Sequence, residues 1–431
     1  MTRRSLLLAA ALLAAPFATL PAQELTAIRA GRLLDVEQGR VLTNMVVLVR
    51  GERIEAVQPA SAPVPRGAKV IDLSGYTVLP GLIDCHTHLA DNVESASAAD
   101  PLTYSAADVA FLGAEHARAT VLAGFTAVRD VGTYRGFVDV SLRNAINRGV
   151  VMGPRMKVAG AYITVSSGGG EVTGLAPDVI PPPDMRRGVA NSATEVRQRV
   201  RELLNGGADF IKIIATGAVF TLGTKPGAPE YTEAEIRAAV EEAANYGTFV
   251  AAHAHGAEGI KRAVRAGVRT IEHGSLADEE ALQLMKQRGT WLVADIYNGD
   301  YTDSVGTREG WPAEILRKNL ETTETQRTAF RRAVALGVNI AYGTDSGIYP
   351  HGMNAWQLPY MVRFGMTPMQ ALQSATINAA RVMGWEDRVG SLAAGRFADL
   401  IAVRGDVLAD VGILRNVAFV MKGGLVVKAA P

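Results

Sequence analysis

Apolar and polar positions divide the chain into two textures. From Leu25 to Val78, and again from Ala398 onward, short β-branched runs are broken by glycine. Val46-Val47-Leu48-Val49, Arg53-Ile54-Glu55-Ala56-Val57 and Lys69-Val70-Ile71-Asp72 lie near one end, and Ala398–Val403, Asn416–Val420 and Leu425–Val427 near the other. Each reads as a short strand, and the shared style predicts one small β-domain made from residues 23–78 and 391–431. In the middle, over 79–390, strand candidates alternate with helical patterns. The strand candidates are Val78–Asp84, Phe125–Val131, Met156–Ala161, Phe210–Ile214, Phe249–Ala252, Arg269–Ile271, Trp291–Ile296 and Asn339–Tyr342. Helical patterns include Ala106–Leu122, Ala193–Asn205, Thr232–Tyr246, Gly259–Ala266, Asp278–Arg288 and Ala313–Leu336. Val196, Val200, Leu203 and Leu204 show the helical spacing, and several patterns end at glycine. Eight strands alternating with helices predict an α/β chain, a (β/α)8 barrel with its site at the C-terminal ends of the strands. Both chain ends together would form an appended β-sandwich.

Composition narrows the picture a little. A chain of 431 residues has room for a barrel of about 250 residues and a small second domain. With 48% hydrophobic and 20% charged residues it is globular in composition. The net charge is +1 with no long basic run, so nothing points to nucleic acid. Residues 1–22 stand apart: Arg3 and Arg4 precede an uncharged run from Leu6 to Ala15, followed by small residues up to Ala22. This is the pattern of a signal peptide, too short to span about 30 Å of hydrocarbon. It predicts an exported chain, periplasmic or secreted, beginning at Gln23 and free of the membrane after processing; the paired arginines leave the export route open. Cys85 is the single cysteine, so no intrachain disulfide can form. On a strand it faces away from His86 and reads as core.

The candidate chemistry sits where the strand candidates end. His86 and His88 close the first; two positions apart on a strand, they point the same way and can face one metal ion. Lys212 lies in the fourth, His253 ends the fifth, His273 the sixth, and Asp345 follows the eighth. Each signal alone is weak, but a barrel would bring all of them to one mouth. Lys212, inside Phe210-Ile211-Lys212-Ile213-Ile214, would lose several kcal/mol of hydration as an ammonium. Either it snorkels from the strand end, or it is neutral and takes up CO2 to give a carbamate that bridges two ions. Four histidines, an aspartate and such a bridge suit a binuclear site for zinc or a similar divalent ion.

Asp84-Cys85-His86-Thr87-His88, His253-Ala254-His255-Gly256, Glu272-His273-Gly274, Gly343-Thr344-Asp345-Ser346-Gly347 and the closing stretch Gly390–Leu400 together resemble the amidohydrolase superfamily. Within it they are similar to the carboxylated-lysine peptidase branch of Xaa-Pro dipeptidases, carboxypeptidase-like enzymes and ochratoxin-hydrolysing amidases. The resemblance implies that His86, His88 and Asp345 hold the more buried ion, that His253 and His273 hold the second, and that carboxylated Lys212 bridges them. It implies Asp345 as proton shuttle and His255 as a catalytic, substrate-facing group. Tyr162, Val219 and Phe220 are candidate pocket residues, with ordinary packing as the alternative. Many relatives carry Thr-Gly-Gly-His-Gly after the third strand; here Ile163–Gly170 lacks that histidine, which bears on specificity. The Pro-rich stretch Glu171–Arg187 is expected in the pocket wall. His116 reads as structural, and His351 follows the eighth strand closely enough to reach a substrate.

The implied reaction is hydrolysis of the amide bond to a C-terminal, hydrophobic amino acid, in dipeptides, N-acyl amino acids or ochratoxin A-type amides. The implied assembly is a homo-oligomer, up to an octamer. One alternative is a cyclic-amide hydrolase or deaminase of the imidazolonepropionase kind; such sites commonly use one ion and lack the lysine. A non-catalytic barrel scaffold is the other, although scaffolds lose ligand positions and all six are occupied here.

Overall fold

The computed structural model describes residues 24–91 and 100–430. The expected signal segment lies outside the described residues. Leu82–Thr87, Phe125–Asp130 and Arg155–Val158 form one parallel sheet. Tyr162–Ile163, Ile211–Ile214, Val250–Gly256, Thr270–Leu276, Trp291–Ala294 and Ile340–Tyr342 form another. The two sheets are arcs of one ring. Arg155–Val158 pairs with the second strand, and after a turn at Ala159–Ala161 the chain resumes as Tyr162–Ile163, which pairs with the fourth. The expected third strand, Met156–Ala161, is thus two short pieces on either side of that turn. At the other seam the Asp345 N–H donates to the His86 carbonyl at 2.8 Å and the His88 N–H to Ser346 at 2.9 Å. These strands carry buried residues on both faces, as a parallel sheet covered by helices requires.

The helices follow from local signals. Ala106–Leu122 starts at a reciprocal cap in which Ser105 and Asp108 each bond the other's backbone N–H. Thr232 and Glu235 do the same for Glu233–Asn245. Ala193–Asn205 buries Val196, Val200 and Leu203, the stripe its spacing predicts. Val138–Asn147, not among the expected helices, packs against the Arg155–Val158 strand.

The chain ends meet in one mixed sheet of seven strands. Its order runs Leu425–Lys428, Phe419–Lys422, Leu400–Val403, Lys69–Pro80, Leu25–Asp35, Arg40–Arg50, Arg53–Pro59. Arg53 pairs with Phe397, and the Ile54 N–H donates to Arg396, so the far edge returns to the stretch entering Leu400–Val403 and the sheet folds over as a sandwich. Ile28, Val47 and Val49 fill one core, while Ala27, Val46 and Leu48 on the other face fill a second.

The apolar run Val78–Asp84, expected as one strand, is divided at Gly81. Leu79 and Pro80 pair with Ile401 and Leu400 in the small sheet, whereas Leu82 pairs with Phe125 in the barrel. A Cβ on Gly81 would lie 2.1 Å from Thr126 Oγ1, so only glycine lets the two sheets meet this closely. Gly81→Ala is expected to cost about 1–3 kcal/mol in denaturant unfolding, with part of the loss recovered by Thr126→Ala in the same chain.

Candidate metal centre

Ten of the residues singled out in the sequence line one cavity at the C-terminal ends of the barrel strands: His86, His88, Lys212, His253, His255, His273, Asp345, Tyr162, Val219 and Phe220. His86 lies near the end of the first strand and His88 just beyond it. Lys212 lies in the fourth, opposite Ala251 and Tyr162. His253 and His255 lie within the fifth strand and His273 within the sixth, both strands running further than expected. Asp345 follows Ile340–Tyr342. Gly343 lets this segment pass His86, since a Cβ there would sit 2.1 Å from Val293 Cγ1 and 2.9 Å from His86 Cβ. His351 is not at the cavity. It stacks on His116 with ring centroids 4.2 Å apart, and His116 Nδ1 is 2.9 Å from the Leu89 carbonyl, so both histidines belong to the packing behind His88. Cys85 is buried among Ile83, Ala127 and Val293.

Each histidine uses one ring nitrogen outside the cluster or sits ring to ring within it. His86 Nδ1 is 2.9 Å from Glu272 Oε2, His88 Nδ1 3.0 Å from the Gly132 carbonyl, and His255 Nδ1 2.8 Å from Ser275 Oγ. This leaves the Nε2 atoms of His86 and His88 to face Asp345 Oδ1, at 3.4 and 3.3 Å. His273 joins two donor groups, one with His86 and Asp345 and one with His253 and His255; within each group the ligand atoms lie within 4.8 Å of one another. His255, expected to face substrate, therefore also stands within reach of the second donor group. His273 and Asp345 both adopt left-handed backbone angles, φ 68° and 56°. Such conformations cost of the order of 1–3 kcal/mol each and collect at functional sites.

The electrostatics keep the donors ready for a cation. Burial and the neighbouring histidines hold His253 well below the ordinary imidazole range and His255 at about 3, so both rings are neutral. Burial alone would raise Asp345, but the facing His86 and His88 outweigh it and keep the carboxylate ionised. Burial, with Arg129 nearby, brings Lys212 down to about 8 against the pull of Glu272, and it makes no hydrogen bond to the described residues. Glu171, Asp295 and Asp345 line the cavity, with Asp91, whose carboxyl burial pushes well above the usual range, and among the described residues Lys212 is its single lysine or arginine. Neutral imidazoles, a carboxylate and an acidic lining form a donor set that fits divalent metal ions.

Two groups escaped the sequence reading, one behind the cavity and one in its wall. Glu272, at 0% exposure, receives Arg129 Nη2 at 2.7 Å and the Thr270 hydroxyl, while Arg129 Nε donates to the Cys85 carbonyl at 2.6 Å. Burial opposes ionisation of Glu272, but Arg129 and His86 overcome it and hold its carboxyl well below the usual range. Asp295, just past the seventh strand, receives Gln326 Nε2 at 2.7 Å and Asn298 Nδ2 at 3.2 Å. It also approaches His273 Nδ1 to 3.1 Å, without the alignment of a hydrogen bond. An acidic residue breaking the run Leu292-Val293-Ala294-Asp295-Ile296 was the signal available for it.

On the substrate side, Tyr134 and Tyr162 meet edge to face, 5.8 Å apart. The turn that lacks the expected histidine is tied to the loop after the fourth strand: the Gly169 N–H donates to Glu230 and the Gly170 N–H to Thr221 Oγ1. Glu171, in the Pro-rich stretch, reaches the cavity and pairs with Arg186.

Histidines and an aspartate gathered at the open end of a parallel barrel mark the class of barrel hydrolases. The chain belongs to the amidohydrolase family, whose profile matches residues 77–427. It is 32% identical to the ochratoxinase of Aspergillus niger over 94% of this chain and 87% of that one. A solved Xaa-Pro dipeptidase with methionine bound in its active site superposes with a TM-score of 0.89 at 39% identity, covering 94% of this chain and 99% of that one. Similarity extends at 26% identity to the imidazolonepropionase of Symbiobacterium thermophilum, over 85% of each chain. The chain is an enzyme of this hydrolytic family.

Arg129→Met leaves Glu272 an unpaired buried charge and is expected to cost about 3–5 kcal/mol. Adding Glu272→Gln should restore part of it, as read by denaturant unfolding of both variants.

Proposed function

We propose that the protein is a binuclear metal-dependent hydrolase that cleaves the amide bond to a C-terminal, hydrophobic amino acid, in dipeptides, N-acyl amino acids or ochratoxin A-type amides. The observation that carries this reading is the convergence of six donor positions and His255 on one cavity, with the imidazoles of His253 and His255 neutral and Asp345 ionised. The ochratoxinase and the Xaa-Pro dipeptidase that resemble the chain support the substrate class.

In this reading His86, His88 and Asp345 hold one ion, His253 and His273 hold the other, and Lys212 joins them as its N6-carbamate. A lysine brought to about 8 offers the neutral amine that adds to CO2. Two zinc-like ions held by these residues would supply an activated water and Lewis-acid polarisation of the scissile carbonyl. Asp345 accepts the proton of the attacking water and delivers it to the leaving nitrogen. His255, with Nδ1 engaged 2.8 Å from Ser275 Oγ, turns Nε2 to the developing oxyanion or to the substrate carboxylate. Tyr162, Val219 and Phe220 supply wall for the amino-acid side chain. The lysine in the fourth strand favours this reading over a single-ion deaminase or cyclic-amide hydrolase. Export through residues 1–22 and assembly into a homo-oligomer complete the proposal; N-terminal sequencing of the secreted chain and its mass in solution test them.

The deciding experiment is hydrolysis by the purified, metal-loaded chain of Xaa-Pro dipeptides, N-acyl amino acids ending in Phe, Leu, Pro or Arg, and ochratoxin A, following amino-acid release. Release of hydrophobic residues is expected. Silence across the panel with two ions bound would sink the substrate assignment. Asp345→Asn should reduce turnover by about a thousand-fold or more, within the range of lost general acid–base catalysis, with the fold retained by circular dichroism. Lys212→Ala should lower metal content and activity together, with partial rescue by short carboxylic acids; two ions retained in that variant would remove the carbamate.

A further inference from the structure

We propose that Asn298 is a positioning residue for the second proton transfer, holding the free oxygen of Asp345 where it protonates the leaving nitrogen. The inference rests on the amide hydrolysis proposed above. Asn298 opens the short helix Asn298–Tyr301 that follows the seventh strand. Its Nδ2 lies 3.2 Å from Asp345 Oδ2 and 3.2 Å from Asp295 Oδ2. Asp345 Oδ1 is turned to His86 and His88 instead. The two oxygens of the shuttle are thereby made unequal: one faces the ligand pair, the other faces the amide.

The orientation of that amide is settled by its surroundings, because a flipped group would set its carbonyl oxygen between two carboxylates. Its Oδ1 is buried without a partner. Interiors rarely leave an acceptor unpaired, so the group is placed for its donors. Asp295 is itself anchored from the long helix by Gln326 at 2.7 Å. A line of contacts thus runs Gln326, Asp295, Asn298, Asp345, reaching the shuttle from outside the ligand set.

In the breakdown step the Asp345 O–H bond breaks and an N–H bond forms. The C–N bond breaks with its electron pair on nitrogen, and the oxyanion pair re-forms the carbonyl. The proton is the one Asp345 took from water, so the amide and water give a carboxylic acid and an amine. An alkylamine cannot depart without that proton, whereas p-nitrophenolate can. The test therefore compares an N-acyl phenylalanine with the p-nitrophenyl ester of the same acyl group, using wild type, Asn298→Leu and the smaller Asn298→Ala, each with metal stoichiometry measured.

The expected result is a fall in kcat for the amide on the order of ten- to a hundred-fold, the worth of a hydrogen bond to a charged group. KM for the amide should hold, the ester should change by no more than about three-fold, and bound metal should equal that of wild type. Equal losses on amide and ester, or an unchanged amide kcat, would overturn the role of Asn298. If Asn298→Leu fails to fold, Asn298→Ala decides, since it removes the donors without adding bulk or charge. Wild type cleaving neither compound with two ions bound overturns this inference together with the hydrolase reading; wild type cleaving both while the variants keep the wild-type ratio overturns the inference alone.

Discussion

The ion pair between Arg129 and Glu272 underlies the geometry of the mouth. Both side chains are at 0% exposure inside the barrel, 2.7 Å apart. A hydrophobic pair of similar volume could serve stability as well, but it could not set a tautomer. Glu272 stays charged because Arg129 stands beside it, and its other oxygen engages His86 Nδ1. His86 then has one nitrogen left, and it faces Asp345. The His86 carbonyl receives the Asp345 N–H, so the residue whose ring Glu272 orients also stitches the first strand to the segment after the eighth. Ring closure and ligand orientation are in this way a single arrangement.

Helices were the most legible part of the sequence, because caps and spacing act within a few residues. Ala106–Leu122, Ala193–Asn205 and Ala313–Leu336 fall where their patterns put them. Strand ends were harder to read, for a reason tied to function. The fifth and sixth strands run on to Gly256 and Leu276, but His253, His255, Glu272, His273 and Ser275 interrupt the apolar signal there. The residues that make the site conceal the strands that carry it. The opposite error arose at Val78–Asp84, where an unbroken apolar run belongs to two sheets. Hydrophobicity reports burial and says nothing of which neighbour does the burying.

The site divides along the same line. Residues of metal-ligand type at strand ends could be found one by one. Arg129 and Glu272 are 143 positions apart, and neither has meaning without the other. Asn298 and Gln326 carry ordinary amides on helices, and only their meeting at Asp295 gives them a place in the chemistry. A sequence shows what can bind an ion more readily than what holds the binder still.

The strand Lys69–Pro80 leads through Gly81 directly into the strand bearing His86, and its neighbour on one side is Leu400–Val403. During synthesis the N-terminal strands emerge first, yet this one stays uncovered along that edge until Leu400–Val403 has been made. The root of the strand bearing His86 is thus secured by residues translated after every candidate donor. Ribosomal products that stop short would carry every ligand residue and still leave an open sheet edge, a feature that invites aggregation and removal. The support of the site thus depends on residues made after all of its candidate donors.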